Sequence, residues 1–338
     1  MSTDKQPQHD ELIHIGPEMA VAEADVHPDE TGAFVRGTSL WRDAWRRLLK
    51  NKLAVFGLVV VIVVTTASII GPTLIQKVFG FTPDYIPTHD EKLTKSFPPF
   101  TGPDGKFSWL HPMGTDNAGR DQLARVLQGG QISLFIGILS TVVSLLIGVS
   151  YGAIAGYVGG RVDNLMMRIV DVLYSLPYII LVIVLLSLFR SQTPRGQLTL
   201  LFIAIGSVSW LTMARIVRGQ ILSLKNQEFV LAARATGVSA SRIIFRHLVP
   251  NTLGPVIVYA TLTIPQIMLT EAFLSFLGFG VQAPLASWGT LAADGITNIA
   301  VFPWQLIFPG ATMALTLFSL NFLGDGLRDA LDPQMRTI

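Results

Sequence analysis

Two carboxylates, Asp171 and Glu271, lie inside long runs of apolar residues and are the first candidates for chemistry in this sequence. A carboxylate costs about 2.5 to 3.5 kcal/mol at the centre of a bilayer, so it should face the interior of a helix bundle or water. Asp171 lies one helical turn from Arg168, and this spacing predicts an ion pair at the membrane surface. For Glu271 two interpretations stay open: it lines a translocation path together with Ser275, or it makes structural hydrogen bonds.

Other reactive groups are scarce. The sequence contains no cysteine, which excludes disulfides, thiolate metal sites, iron–sulfur clusters and cysteine nucleophiles. It also lacks the G-x4-G-K-[ST] phosphate loop, so it cannot supply the ATP site that this motif marks. Carriers coupled to protons or ions usually need more buried titratable groups than these two. We therefore predict a non-catalytic chain with no metal site and no cofactor of its own.

The composition is that of a membrane protein. Of the 338 residues, 50% are hydrophobic and 14% are charged, and the mean hydropathy is +0.50. Soluble domains carry about 25% charged residues, so a water-soluble enzyme is excluded. The formal net charge of +2 argues against a nucleic-acid partner. Membrane lipid is the expected surrounding of most of the chain.

The elements that must position these residues are membrane-spanning helices. Apolar runs of about 20 residues predict spans, and six are expected, over residues 53–76, 133–156, 169–189, 197–215, 252–276 and 303–323. Glycines and prolines interrupt residues 277–302, which predicts a short interfacial or re-entrant connection. Lysines and arginines concentrate in the segments that an N-in, C-in topology puts in the cytoplasm. We expect an all-α, polytopic membrane protein with both termini in the cytoplasm.

The predicted spans divide the chain into five parts, which are an acidic cytoplasmic tail (1–40), a cytoplasmic helix with the first span (41–76), an extracytoplasmic loop (77–130), a five-helix core (131–324) and a cytoplasmic C-terminal tail (325–338). The acidic tail should be disordered because it is rich in carboxylates and poor in apolar residues. After Gly119 the pattern predicts a short amphipathic helix on the outer face, with Arg120, Asp121 and Arg125 on its polar side.

Small residues recur every four positions along the second span, at Ser140, Ser144, Gly148, Gly152 and Gly156. Residues four apart lie on one face of a helix, and small side chains there let two backbones approach closely in lipid. The stripe therefore predicts helix packing, either within this chain or against another subunit. It carries no information about what the protein transports.

The segment at residues 215–250, between the fourth and fifth spans, has a regular arrangement of residues that predicts helices and not an unstructured connecting loop. A helical period that includes Ala232 and Ala233 predicts a helix over residues 227–236. Gly237 follows directly and is predicted to be its left-handed C-terminal cap. Small side chains on this helix permit close approach to another backbone.

A second helix is predicted to begin after Ser239, to carry Arg242 on a basic face and to end at Pro250. The product is a helix–glycine–helix elbow. An elbow of this kind suits a groove in a cytoplasmic partner. Adsorption on anionic lipid headgroups is the alternative that the residues themselves leave open.

The elbow resembles the cytoplasmic loop of the membrane subunits of bacterial ABC importers, which carries the motif E-A-A-x3-G-x9-I-x-L-P. Its alanines, glycine and proline are matched here, whereas Leu231, His247 and Val249 replace the other motif residues, with Glu228 one turn before Leu231. The resemblance implies that this segment couples the subunit to ATPases. The candidate coupling residues are Glu228, Ala232, Ala233, Arg234, Gly237, Arg242 and Pro250.

Further stretches resemble the C-type permeases of dipeptide and oligopeptide importers, namely residues 114–121, 163–177, 271–280 and 324–333. The resemblance implies a type I ABC importer fold that pairs with a second, homologous permease in the bacterial cytoplasmic (inner) membrane. Two cytoplasmic ATPases would bind ATP and Mg, and an extracytoplasmic peptide-binding protein would deliver the cargo. The implied function is a permease subunit that passes short peptides without reacting with them.

Two other functions remain open at this point. The same family resemblance covers nickel and other small solutes, because the choice of cargo belongs largely to the binding protein. An ion-coupled carrier working alone is the less favoured alternative, since the spans hold few titratable groups.

Overall fold

The computed structural model describes residues 40–86, 96–102, 104–189 and 191–331. Residues 1–39 of the predicted acidic tail and residues 332–338 of the predicted C-terminal tail lie outside the described residues. Within the described ranges every regular element is helical. The elements are α1 (Leu40–Lys50), α2 (Lys52–Phe79), α3 (Gln122–Val158), α4 (Gly160–Ser175), α5 (Tyr178–Leu188), α6 (Pro194–Leu224), α7 (Glu228–Ala235), α8 (Ala240–Arg242), a π-helical stretch (Ile243–Leu248), α9 (Val249–Phe276), α10 (Trp288–Thr297) and α11 (Trp304–Leu331).

Among the described residues, five helices are long and apolar enough to cross a membrane: α2, α3, α6, the continuous helix Ala240–Phe276 that includes α9, and α11. α4 and α5 form a sixth span if they are counted as one broken helix, bent by 84°. The predicted number of six spans agrees with the structure on that count. α10 has 10 residues, which is too short to cross a bilayer.

The third span differs from the prediction of one regular helix over residues 169–189. The helix stops at Ser175, Leu176 adopts an extended conformation (φ −78°, ψ 137°), and α5 begins after Pro177. The physical reason is local, because proline disfavours a helical conformation in the residue before it and cannot donate a backbone hydrogen bond. Because of the break, α4 and α5 are two separate helices.

The start of α3 also corrects an expectation. No separate amphipathic helix precedes this span in the described part of the loop, since residues 122–158 form one helix that Asp121 caps by accepting a hydrogen bond from the Ala124 amide (2.7 Å). Arg125 is not on an exposed polar face but is buried, and its Nη1 lies 2.5 Å from Asp116 Oδ2. A buried guanidinium needs such a partner, and a sequence period does not reveal one that lies in another segment.

The small residues of α3 pack against α6, its most extensive neighbour. A Cβ atom on Gly148 would lie 2.6 Å from the Cβ of Met213, and one on Gly156 would lie 2.9 Å from the Cβ of Ile221. On Gly152 it would collide with a backbone carbonyl of α6. The Ser144 hydroxyl donates to a carbonyl of α6 at 3.0 Å. Of the two interpretations of the stripe, the geometry shows packing within the chain.

The last span is longer than predicted. α11 continues to Leu331, so the predicted C-terminal tail at residues 325–338 begins as helix. At this end Leu48 of α1 packs into a small apolar cluster with Ala54 of α2 and Ala330 of α11. The amphipathic α1 is thereby attached to the bundle.

Candidate functional site

The break between α4 and α5 opens a cavity of about 500 Å³ between the break, α6 and α9. We call it the break cavity. Broken backbone at membrane depth is tolerated where it lines a cavity or is buried in protein. The polar side chains that line it are Tyr174, Ser175, Tyr178, Ser209, Thr212, Tyr259, Thr263, Gln266 and Thr270. No charged residue is among the described residues that line it, so it is a polar but neutral site.

Hydrogen bonds at the break replace those that the proline removes. The Leu176 amide donates to the Leu173 carbonyl at 3.4 Å, and the Ser175 hydroxyl donates to the Val172 carbonyl at 2.7 Å. Local bonds of this kind re-satisfy the backbone groups that a broken helix leaves free. The break is thus a stable feature of the fold.

Hydroxyl groups line the break cavity on each of its three walls. They belong to Tyr178, the first residue of α5, to Ser209 on α6 and to Thr270 on α9. The Thr270 hydroxyl donates to the backbone carbonyl of Gln266, one turn earlier, at 2.9 Å. Three separate helices therefore each contribute hydroxyl groups to one cavity.

A second cavity of about 840 Å³ lies at the end of the bundle that carries the elbow. We call it the elbow-side cavity. It is bounded by α1, α6, α9 and α11, and Arg47 and Arg328 are among its lining residues. Tyr259 lines both cavities. The two spaces therefore meet at one aromatic side chain on α9.

The elbow itself is formed by α7 and the helical segment after it. Gly237 has the left-handed conformation that the sequence predicted, with φ of +76°. The second helix does not end at Pro250, contrary to expectation. After α8 the chain forms a π-helical stretch in which the Val249 amide donates to the Ile244 carbonyl, and it continues into α9. Pro250 therefore lies inside the continuous helix Ala240–Phe276, directly after the π-helical stretch, and a local π adjustment of this kind accommodates the missing amide.

The two faces of α7 have different surroundings. Val230 and Ala233 are buried against Ile243 of the π-helical stretch, so Ala233 packs on the chain's own core and is not available to a partner. Ala232 is exposed. The helical period alone could not separate the inner face from the outer one, because alanines lie on both.

Most of the candidate coupling residues are accessible. Glu228, Ala232, Arg234, Gly237, Arg242 and Pro250 are exposed. Three large apolar side chains of the elbow, Phe229, Leu231 and Phe245, are also 40 to 49% exposed. Exposed apolar groups of this size, when clustered and rimmed by polar residues, are typical of surfaces that bind another protein.

Charged groups connect the elbow end of α6 to α4. Arg218 makes a two-pronged contact with Asp163, with nitrogen–oxygen distances of 2.5 and 2.7 Å. Arg215 pairs with Asp171 at 2.7 Å. The predicted ion pair of Asp171 with Arg168 is therefore wrong, because a partner from another helix lies within reach. The Arg215 guanidinium also stacks 4.1 Å from the ring centre of Tyr174, at the break cavity.

Two further contacts join the end of α3 to Lys225, directly after α6, and to Arg234 of α7. The Lys225 ammonium donates to the Gly156 carbonyl at 3.0 Å, and the Arg234 guanidinium lies 4.9 Å from the ring centre of Tyr157. Cations are favourable at a helix C-terminus, where carbonyl groups lack intrahelical partners. α7 is thus joined to the bundle by side chains as well as by the chain.

Glu271 and Ser275 do not line either cavity. Glu271 is fully buried and accepts hydrogen bonds from Ser133 at 3.1 Å and from Ser275 at 2.6 Å. Ser133 in turn accepts a hydrogen bond from the Trp288 amide at 3.2 Å. This network joins α3, α9 and α10, and the translocation-path role of these two residues stays a prediction. The structural alternative describes the geometry, since a buried carboxylate needs donors around it.

Sequence reasoning missed the residues of the break cavity. The available signal was Pro177 inside an apolar run, together with hydroxyl and amide residues in the two facing spans. Proline breaks a helix and frees backbone groups that neighbouring side chains then satisfy. The proline and the polar residues of the facing spans together could have predicted a polar cavity beside Pro177.

The spans, the neutral cavity at the broken span and the exposed elbow define a multi-pass transport subunit of the membrane. Residues 148–337 match the family model described as "Binding-protein-dependent transport system inner membrane component". Residues 39–95 match the model "N-terminal TM domain of oligopeptide transport permease C". The chain belongs to this family of inner-membrane components of binding-protein-dependent transport systems.

Curated relatives resemble the chain over most of its length. It is 48% identical over 302 residues to the oligopeptide transport system permease protein OppC of Haemophilus influenzae, covering 89% of this chain and 91% of the relative. It is 44% identical over 301 residues to OppC of Bacillus subtilis, covering 89% and 92%. It is also 44% identical over 299 residues to the dipeptide transport system permease protein DppC of Bacillus subtilis, covering 88% and 87%.

Proposed function

We propose that the chain is a membrane-spanning permease subunit of an ATP-driven importer of short peptides. The observation that carries this proposal is the neutral, polar cavity at the broken third span. Peptides share their backbone amide and carbonyl groups and differ in their side chains. A wall of hydroxyl and amide groups suits the shared part without favouring one charge. The relatives' names favour oligopeptides and dipeptides over nickel.

The elbow is the proposed contact with an ATPase subunit. Its exposed apolar side chains would fill a groove, and its cations would meet acidic groups at the rim. The remaining partners in this proposal are a second, homologous permease, two ATP-binding subunits that hold ATP and Mg, and an extracytoplasmic peptide-binding protein. A type I importer fold in the bacterial cytoplasmic membrane, with both termini in the cytoplasm, completes the arrangement.

Transport in proteoliposomes tests the proposal. The assembled importer should take up a labelled tripeptide only when ATP reaches the ATPase subunits. Ala232→Glu changes an exposed residue of the elbow, so it should leave the fold intact and separate ATP hydrolysis from uptake. Ala233→Glu is the matched control, because that residue is buried and its replacement should destabilise the elbow instead. Uptake by this chain alone down an ion gradient, or unchanged uptake in the Ala232→Glu importer, would refute the proposal.

A further inference from the structure

Gln266 is a polar residue in an unusual place. It lies within the membrane-spanning helix α9, lines the break cavity and is exposed there. Its carboxamide makes no hydrogen bond to any residue in the described part of the chain. A carboxamide offers one acceptor oxygen and two donor hydrogens. Those groups of Gln266 are therefore open to hydrogen bonds from outside this chain, with water or with a ligand in the cavity.

The neighbours of Gln266 differ from it in this respect. Thr263 and Thr270 lie on the same side of α9, but the hydroxyl of each donates to the backbone one turn earlier, at 2.8 and 2.9 Å. Ser209 across the cavity likewise donates its hydroxyl to the Ile205 carbonyl one turn earlier, at 2.8 Å. On the α9 wall, Gln266 and the hydroxyl of Tyr259 are thus open to a ligand, and of the two only Gln266 offers an amide donor and a carbonyl acceptor together.

The chemistry of a carboxamide defines the ligand. It presents an acceptor oxygen and a donor NH2 side by side. An extended peptide presents the N–H and C=O of one residue in the same way, as when two residues of neighbouring strands exchange both hydrogen bonds. The same pairing is possible at every residue of a peptide except proline, which has no backbone N–H, and it does not depend on the other side chains.

We propose that Gln266 binds the main chain of the peptide in transit, so that the break cavity is a subsite for backbone amides and not for side chains. The inference rests on the proposed function and adds the group that contacts the cargo. The cavity volume of about 500 Å³ lies within the range of small-ligand sites. Side-chain selection would then be left to other parts of the importer.

Because the chain has no cysteine, single thiols give a clean test of position. In the assembled importer, Gln266→Cys should react with a water-soluble, membrane-impermeant methanethiosulfonate, as seen by the mass of this chain. A saturating concentration of tetra-alanine, supplied with ATP, should slow that reaction about fivefold or more. Leu269→Cys is the control, because Leu269 is 51% exposed on the same helix and does not line the cavity. Absence of labelling at position 266, or labelling that tetra-alanine does not slow, would overturn the proposal.

A second measurement tests the hydrogen bonds themselves. Uptake of tetra-alanine is compared with uptake of its analogue methylated at the main-chain nitrogens, in wild-type and Gln266→Leu importers. In each importer, the rate for tetra-alanine is divided by the rate for the methylated analogue. Comparing this ratio between the wild-type and Gln266→Leu importers cancels discrimination by the binding protein. The ratio should be about three- to tenfold lower in Gln266→Leu, the factor expected for one lost hydrogen bond. An unchanged ratio would overturn the inference. Failure of wild-type vesicles to accumulate either peptide would refute the proposed function instead.

Discussion

Removal of the Ser133 hydroxyl should destabilise the bundle far more than removal of a similar hydroxyl two turns away. Ser133 is 1% exposed on α3, donates to Glu271 at 3.1 Å and accepts from the Trp288 amide at 3.2 Å. Ser133→Ala takes away both bonds. Glu271 would keep its bond from Ser275 but lose the one from α3, and the amide at the start of α10 would lose its partner.

The size of the effect follows from those two bonds. Hydrogen bonds between membrane helices average about 0.6 kcal/mol and reach about 1.7 kcal/mol, so Ser133→Ala should lower the free energy of unfolding by about 1 to 3 kcal/mol. Ser140 is the matched control, because it is fully buried on the same helix and its hydroxyl has no partner among the described residues. Ser140→Ala removes an unsatisfied polar group, so stability should stay the same or rise.

The assay is unfolding of the detergent-purified chain by titration with SDS, followed by circular dichroism. Ser133→Ala should shift the midpoint to lower SDS, and Ser140→Ala should not. Equal shifts in the two variants would show that the network around Glu271 contributes nothing specific. A neutral Ser133→Ala would refute the reasoning directly.

Three further predictions concern packing, the ion pairs and the buried carboxylate. Gly152→Ala should lower the free energy of unfolding by about 1 to 3 kcal/mol in the same titration, because its Cβ would collide with a carbonyl of α6. Gly219→Ala, where the added Cβ meets nothing within 4 Å, should be neutral or stabilising. Asp163→Asn should weaken the contact with Arg218 and speed amide exchange in α4, measured by mass spectrometry. Glu271→Gln should leave peptide uptake in proteoliposomes unchanged, because the side chain lies outside both cavities.

For each of these three predictions, one result would contradict the reasoning. Equal stability of the Gly152→Ala and Gly219→Ala variants would mean that α3 and α6 do not pack as closely as described. Unchanged exchange in α4 would mean that the Asp163–Arg218 pair does not stabilise this helix. Loss of uptake in a stable Glu271→Gln variant would restore the carboxylate to the transport path.

The features that the sequence predicts well are local in the chain. Apolar length alone gives the spans, since the thickness of the bilayer fixes how many helical residues are needed. Gly237 was predictable because only glycine readily takes the left-handed conformation that ends a helix. The break at Pro177 belongs to the same class: its signal was present in the sequence, but the length of the apolar run concealed it.

The features that the sequence could not predict depend on partners from distant segments. Asp171 pairs with Arg215, 44 positions away, although Arg168 is the nearer cation in sequence. Arg125 is buried because Asp116 lies against it, and the carboxylate of Asp294 lies 3.9 Å away on the other side. A period of hydrophobic residues describes one helix, whereas these contacts are set by the tertiary arrangement.

The distribution of charge in the structure has a mechanical consequence. Charged groups are absent from the described lining of the break cavity, while at the elbow end ion pairs join α4 to α6 and Arg215 stacks on Tyr174 of the cavity wall. A cation–π contact also joins α7 of the elbow to the end of α3. Under the proposed function, a movement of an ATPase at the elbow would therefore reach the cavity wall through salt bridges and packed helices. Ion pairs serve this purpose because they fix geometry, whereas a charge inside the cavity would hold some peptides and repel others.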